Sequence, residues 1–386
     1  MPSTEITPEE RRARLEEFLS GTSPNKAKSK GAISESLLTG VAFNVAHRHA
    51  QGKTLSPMEN NLWSMLRCFV DSDAEAHEFG TMFSKAKQRM SKDASSTIFP
   101  QQVLDLTSED AYTSENFHQD VKALGSEIAA QPNYKVVNLA QEKREDVENE
   151  DYLKAMEEAG GGVTVYDYSE PNSATAEEQK GSDGQKTDSN TAGTSLRLHL
   201  NKMKCLVSKG DQGGGKQEIY FSTSASAENR GNFPLISEEL GSIVTGSERD
   251  FRRPPWQTRI FEGYVHECLT FHIECYEADQ SNSRWYDGLM NIMRDLSFYC
   301  FEAAIQWSAG GVDLRERLIQ AILGSAFRLV SDLMRAFRNN DDFVQRRSIG
   351  LTTSALNRFF PQVGSSEWWD FNNSGVGKYR LWLIRQ

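Results

Sequence analysis

Between Ser169 and Thr194 the chain runs SEPNSATAEEQKGSDGQKTDSNTAGT, a stretch with almost no side chain able to fill a core. Such a segment cannot offset its own ordering entropy by burial, so what lies before it and what lies after it must each find a core elsewhere. We therefore expect a flexible linker over residues 161–194. It divides a helical domain, residues 1–160, from a second domain over residues 195–386. With 386 residues in all, each part is long enough to bury a core of its own. Val163 to Tyr166 is a short strand candidate that fits either side of the division.

The N-terminal part reads as helical because of how its helices should begin. Thr7-Pro8-Glu9-Glu10 offers a hydroxyl cap, a proline at the first helical position and a glutamate three residues on, and Ser56-Pro57-Met58-Glu59 repeats the device. Between them Ile33, Leu37, Leu38, Val41 and Val45 recur at helical spacing, and Leu62, Leu66, Phe69 and Val70 follow the second box. A further helix is expected from about Asn116 to Ala130. Glu142 to Glu158 is strongly acidic and reads as a solvated helix face or tail.

The second part has strand periodicity. Leu196, Leu198 and Leu200 alternate with polar residues, and then the apolar parity shifts to Met203 and Cys205, which signals a bulge or a second strand. Ile219 and Phe221 alternate likewise. From Cys268 to Tyr276, Leu269, Phe271, Ile273 and Cys275 share one face, leaving Cys268, Thr270, His272 and Glu274 on the other, as in a half-buried antiparallel sheet. Near the end Tyr379, Leu381 and Leu383 alternate with Arg380, Trp382 and Ile384. Between about residues 285 and 338 the period turns helical, giving a helical insertion in a β domain.

Charge and motifs narrow the function. With 43 Lys and Arg against 54 Asp and Glu, a net of −11, no nucleic-acid partner is expected. No apolar run reaches the roughly 20 residues of a membrane-spanning helix, and the N-terminus has no apolar signal-peptide core, so a cytoplasmic location is expected. The five cysteines lie in apolar runs and read as reduced thiols. Gly210 to Lys216 has the spacing of a phosphate-binding loop, but Gln217 stands where a magnesium-binding hydroxyl is needed and a strand follows where the chemistry needs a helix N-terminus. His266, Cys268 and His272 share a strand face and form a candidate zinc set, against the commoner reading of a satisfied histidine. No nucleophile elbow occurs, which points away from an enzyme. In Trp368-Trp369-Asp370-Phe371, alternation puts one tryptophan toward the core and leaves the other able to stack on sugar rings or anchor at a lipid interface, beside the plainer reading of core packing.

Carboxylates at strand ends are the remaining lead. Asp211 lies in the first loop, HIECYEAD runs into Asp279 with Asp287 soon after, and Asn339-Asn340-Asp341-Asp342 precedes the strand Phe343 to Leu351. Acidic loops at one end of a sandwich supply the oxygen shell calcium prefers, although Asp and Asn also simply cap turns. This ordering resembles the C2 family. The resemblance implies an eight-stranded antiparallel sandwich that docks membranes or protein partners, sometimes through calcium held by Asp211, Asp279, Asp287, Asp341 and Asp342. The expected fold class is thus α+β, a helical N-terminal domain plus an antiparallel C2-like β-sandwich with a helical insertion. The expected function is non-enzymatic binding of a protein partner or a membrane surface, with calcium as the candidate cofactor. The alternative is a membrane-active, toxin-like protein using the helical insertion.

Overall fold

The computed structural model describes residues 7–20, 36–92, 98–169, 193–209, 217–227, 235–252, 254–278, 329, 333 and 342–386. The helix starts follow the capping chemistry. In α1 (Pro8–Ser20) the Thr7 hydroxyl accepts from the Glu10 N–H at 3.2 Å while the Glu10 carboxylate accepts from the Thr7 N–H at 2.9 Å. Ser56 and Glu59 close the same box on α3 (Pro57–Arg67), and Thr113 and Asn116 close another on α6 (Ser114–Ala129). Between them lie α2 (Leu37–Ala50), α4 (Asp73–Met90) and the short α5 (Gln101–Asp105). Helix α2 is buried nearly all round, as a helix must be when neighbours cover every face, and Leu37, Leu38, Val41 and Val45 sit in the core. Two buried ion pairs tie these helices together. Arg11 meets Glu75 bidentately at 2.6 and 3.0 Å, and Arg48 meets Glu59 at 2.9 Å.

The chain then makes a strand, a crossover and a parallel strand. β1 (Tyr134–Asn138) leads through α7 (Arg144–Val147) and α8 (Glu150–Glu158) to β2 (Gly161–Asp167), which lies parallel to it. After the linker come β3 (Thr194–Ser208), β4 (Gln217–Ala227), β5 (Leu235–Ile236), β6 (Leu240–Ile243) and β7 (Glu248–Asp250). They are followed by α9 (Pro255–Thr258), β8 (Arg259–Val265), β9 (Cys268–Glu277), β10 (Asp342–Thr352), α10 (Thr353–Phe359), β11 (Ser366–Asn373) and β12 (Gly377–Arg385). One sheet has the order β1-β2-β10-β9-β4-β5 with β6 also on β4, and the other β11-β12-β3-β7 with β8 also on β3.

The two sheets share a core. Leu198, Met203, Trp369 and Leu381 of the second sheet cluster with Phe221, Phe271, Ile273 and Ile349 of the first. Edge-to-face rings cross it, Phe271 on Trp369 at 5.2 Å and Phe221 on Phe371 at 5.6 Å. The far side of the first sheet carries Val163, Val165 and Cys268 into a separate core with Leu37, Val41, Leu62 and Phe83 of the helices. Helices, first sheet and second sheet are therefore successive layers.

Several expectations change. The sheet is not wholly antiparallel, because β1, β2 and β10 run parallel at one edge. Residues 161–167 are a paired strand inside the expected linker, and β1 lies inside the expected helical domain, so sheet pairing crosses the division read from composition. Strand β9 is buried on both faces rather than half-buried, and Cys268 on its second face joins the helical core. The acidic stretch Glu142 to Glu158 is not simply solvated, since Arg144, Tyr152 and Met156 are buried in it. The parity shift in β3 is a register irregularity opposite Trp382 and Leu383, between Lys202 and Leu200, as expected. Gln217 opens strand β4, so no helix N-terminus follows the glycine-rich segment. The insertion expected at about residues 285–338 lies outside the described residues apart from Leu329 and Leu333, which are helical and pack into the helical core.

Candidate functional site

Alternation along the second sheet places one set of side chains in the core and the other on its outer face. In β12, Tyr379, Leu381 and Leu383 are buried, while Lys378, Arg380, Trp382 and Ile384 alternate with them on the open side. In β11, Trp369 and Phe371 are core, so Trp368 faces outward, and the register sets it directly opposite Trp382. The adjacent tryptophans thus divide as alternation predicts, Trp369 at 0% exposure and Trp368 half-buried.

Cations frame the two outward rings. The Arg380 guanidinium lies 3.6 Å from the centroid of Trp368 and 5.9 Å from that of Trp382, and Lys202 Nζ lies 4.9 Å from Trp382. Arg144, reaching from α7 around the sheet edge, stands 4.7 Å over Trp368 and donates to the Trp368 carbonyl. Carboxylates hold these cations in place. Asp370 takes Arg380 bidentately at 2.6 and 2.9 Å, and Glu248 accepts from Lys202 at 2.5 Å, a bond that holds its carboxyl below the usual range. Farther along the face Glu262 accepts from Arg197 at 2.6 Å and pairs with Arg259, while Tyr264 stands 56% exposed. Arg197, Lys202, Lys204, Arg259, Lys378 and Arg380 thereby face Glu248, Asp250, Glu262 and Asp370. The local balance is positive on a chain of net −11.

Beneath the edge of this face is a buried charge cluster that positions Arg144. Arg347 of β10, with its side chain 0% exposed, donates to Glu148 at 2.8 and 3.1 Å and to the Asp370 carbonyl of β11 at 3.3 Å. Glu148 also accepts from Tyr166, and Arg144 reaches it at 3.4 Å. Burial alone would raise the Glu148 carboxyl, but Arg347 and Arg144 overcome it and hold it down to about 2. The cluster is structural, since every charged group in it is answered by another.

The far side of the first sheet holds a different polar row. The register aligns Ser224, His272 and Ser348 across β4, β9 and β10, with Ser222, Glu274 and Arg346 in the next row. His272 Nδ1 is 2.8 Å from Ser348 Oγ, and burial followed by the nearby Arg346 pushes its imidazole down to about 3. This neutral histidine serves as a hydrogen-bonding group inside the protein. The zinc set expected from His266, Cys268 and His272 is not borne out in this geometry: among the described residues no cluster of three metal-ligating side chains forms.

Of the expected calcium ligands, Asp211, Asp279, Asp287 and Asp341 lie outside the described residues. Asp342 opens β10 and pairs in register with Glu277. The four described cysteines, Cys68, Cys205, Cys268 and Cys275, are unbridged. Sequence reading set one of Trp368 and Trp369 outward without saying which, and missed Arg380, Trp382, Lys202 and Lys204 as site residues. The signal was the alternation of Arg380 and Trp382 with buried neighbours, which becomes a site only once β3 and β11 are known to flank β12.

No family model and no curated protein matches the chain. Among solved structures, a C2 domain of plant Extended Synaptotagmin 1 is similar at a TM-score of 0.24 and 8% identity, over 50% of this chain and 95% of that one. At that TM-score the likeness is weak and assigns neither a family nor an activity to this chain.

Proposed function

We propose that this chain is a non-enzymatic binding protein whose contact surface is the outer face of the five-stranded sheet, and that its partner is an anionic membrane surface. The cross-strand pair of half-buried tryptophans, Trp368 and Trp382, set among lysines and arginines, carries the reading. Indole rings favour the headgroup level, where an apolar body and a polar N–H are both satisfied, and the flanking cations reach lipid phosphates. Ion pairing to Glu248 and Asp370 keeps Lys202 and Arg380 beside the rings before contact, so less side-chain entropy is lost on binding. Calcium is a finer part of the proposal. Bound by Asp211, Asp279, Asp287, Asp341 and Asp342, it would strengthen attraction to the same lipids.

Sedimentation of the full chain with vesicles tests this. Phosphatidylcholine vesicles containing phosphatidylserine should carry the protein down at low salt and release it at high salt, whereas pure phosphatidylcholine should not. W368A/W382A should lose most of the binding. An unbound wild-type chain, or a double variant that binds like wild type, overturns the reading. Repeating the assay with a calcium chelator decides the calcium part by itself. Dye retention during binding supports docking, and leakage would instead favour the membrane-active alternative built on residues 285–338. Among the described residues no helix is long and apolar enough to cross a membrane. A protein partner is the second reading, favoured by the stacking of Arg380 on Trp368, because tryptophan and arginine dominate protein contact hot spots.

A further inference from the structure

A pair of histidines on the helical layer takes no part in the sheet face. Helices α2 and α4 cross closely at Gly80, where an added Cβ would lie 2.3 Å from the His47 nitrogen and 2.6 Å from the Ala46 carbonyl carbon. Only glycine allows the two backbones to approach so nearly. That contact brings the last turn of α2 beside His77, which lies three residues before Gly80 on α4. As a result His49 Nδ1 stands 2.8 Å from His77 Nε2. Trp63 of α3 is stacked with both rings, at 4.1 Å and 21° to His49 and at 5.4 Å and 18° to His77. The indole is buried, whereas both imidazoles are partly open to solvent.

We propose that His49 and His77 form a two-imidazole site for a divalent transition metal of square-planar preference, Cu(II) or Ni(II). Two ligand nitrogens at a right angle, each about 2.0 Å from an ion, stand about 2.8 Å apart, whereas tetrahedral zinc spreads its nitrogens to about 3.3 Å. The observed 2.8 Å is the length of the hydrogen bond joining the metal-free rings, and it already matches the spacing a square-planar pair needs. Without metal the two nitrogens share one hydrogen bond. Binding moves the N–H of the donor ring to its far nitrogen and turns each ring within its plane, so both near nitrogens direct lone pairs to one ion and no net proton or electron is transferred. Trp63 fixes the planes of both rings. Asp73, one helical turn before His77, is held by Arg67 at 2.7 Å, and among the described residues no third ligating side chain joins the two imidazoles. Water or an added ligand fills the remaining positions.

The test is titration of the full chain with CuCl2 at neutral pH, followed by tryptophan fluorescence and by electron paramagnetic resonance. One Cu(II) per chain should bind with nitrogen coordination and quench fluorescence. H49Q and H77Q should each weaken binding at least tenfold, while H118Q leaves it unchanged. W63F should keep the resonance signal but lose much of the quenching. Absence of saturable binding in the wild-type chain, or unchanged affinity in both H49Q and H77Q, overturns the proposal. Should either variant lose its helical circular dichroism, modification of the unaltered chain by diethyl pyrocarbonate decides. Protection of both His49 and His77 by Cu(II) supports the site, and anything less overturns it.

Discussion

The outer faces of the two sheets begin from the same alternation of apolar and polar residues and end in opposite environments. On the first sheet Ser224, His272, Glu274 and Ser348 are all buried, under a layer whose core also takes in Val163, Val165 and Cys268. On the second sheet Trp368, Arg380, Trp382 and Lys202 stay partly open to water. A polar side chain on a strand therefore reports that it is not in the core between the sheets, and nothing more. The buried row had to find partners inside the protein, as His272 finds Ser348, whereas the open row pairs its charges at the surface and leaves its rings partly open.

The largest effects should come where the two sheets are locked together. Glu148→Ala leaves Arg347 charged and fully buried and should cost about 3–5 kcal/mol, read from urea unfolding. Trp369→Ala should cost a similar amount, about 3–5 kcal/mol, because it removes the ring that packs on Phe271 and Phe360 from the shared core. If Glu148→Ala unfolds at the wild-type urea concentration, the charge cluster is not the fastener described. On the covered face Ser348→Ala deprives buried His272 of a partner and should cost about 1–3 kcal/mol. Lys202→Ala on the open face should change stability by less than about 0.5 kcal/mol. Equal effects from these two substitutions would erase the contrast between the faces.

Acid sharpens the same contrast. His272 is held near 3 when folded against an ordinary value of 6.5, so between those limits the unfolded chain binds a proton the native chain refuses. Its contribution is present above pH 6.5 and is lost as pH falls through that window, by at most about 1.4 kcal/mol per pH unit. Glu148 adds a further loss between its ordinary value of 4.5 and about 2, again toward acid. Urea midpoints measured from about pH 7 to about pH 4 should fall with acid in the wild-type chain and fall less steeply in His272→Gln. Parallel slopes would remove His272 from the account.

Much of the local structure was legible because its physics is local. The capping boxes at Thr7 and Ser56 and the parity shift at Leu200 to Met203 each depend on residues a few positions apart, and each is where expected. The division of Trp368 from Trp369 followed from alternation alone. The β1-to-β2 crossover was not legible, since parallel pairing with β10 joins residues 161–166 to residues 346–351 and leaves no periodic trace. Neither was the burial of β9 on both faces, since Thr270, His272 and Glu274 look like a solvated row by alternation and are buried in the fold. The reading of residues 142–158 as a solvated helix face holds for most of their carboxylates and misses the buried side for a related reason. Composition counts charges, but Arg144 and Glu148 are answered by Glu367 and Arg347, more than two hundred and nearly two hundred residues away.

The smallest expected change in stability tests the functional half of the comparison. Trp368→Ala removes a partly open ring whose main energetic tie is to Arg380 at 3.6 Å, and it should cost only about 0.5–1 kcal/mol. Its neighbour Trp369 should cost several times more. Binding to anionic vesicles should reverse that order: Trp368→Ala should weaken it severely under conditions where the variant is fully folded. Trp369→Ala, measured at a temperature low enough to keep it folded, should retain it, because that ring points between the sheets and never reaches the outer face. Two adjacent tryptophans whose stability and binding effects rank in opposite order separate a contact surface from a solvated sheet face. If Trp368→Ala is silent in both measurements, the outward ring is only covering its own sheet.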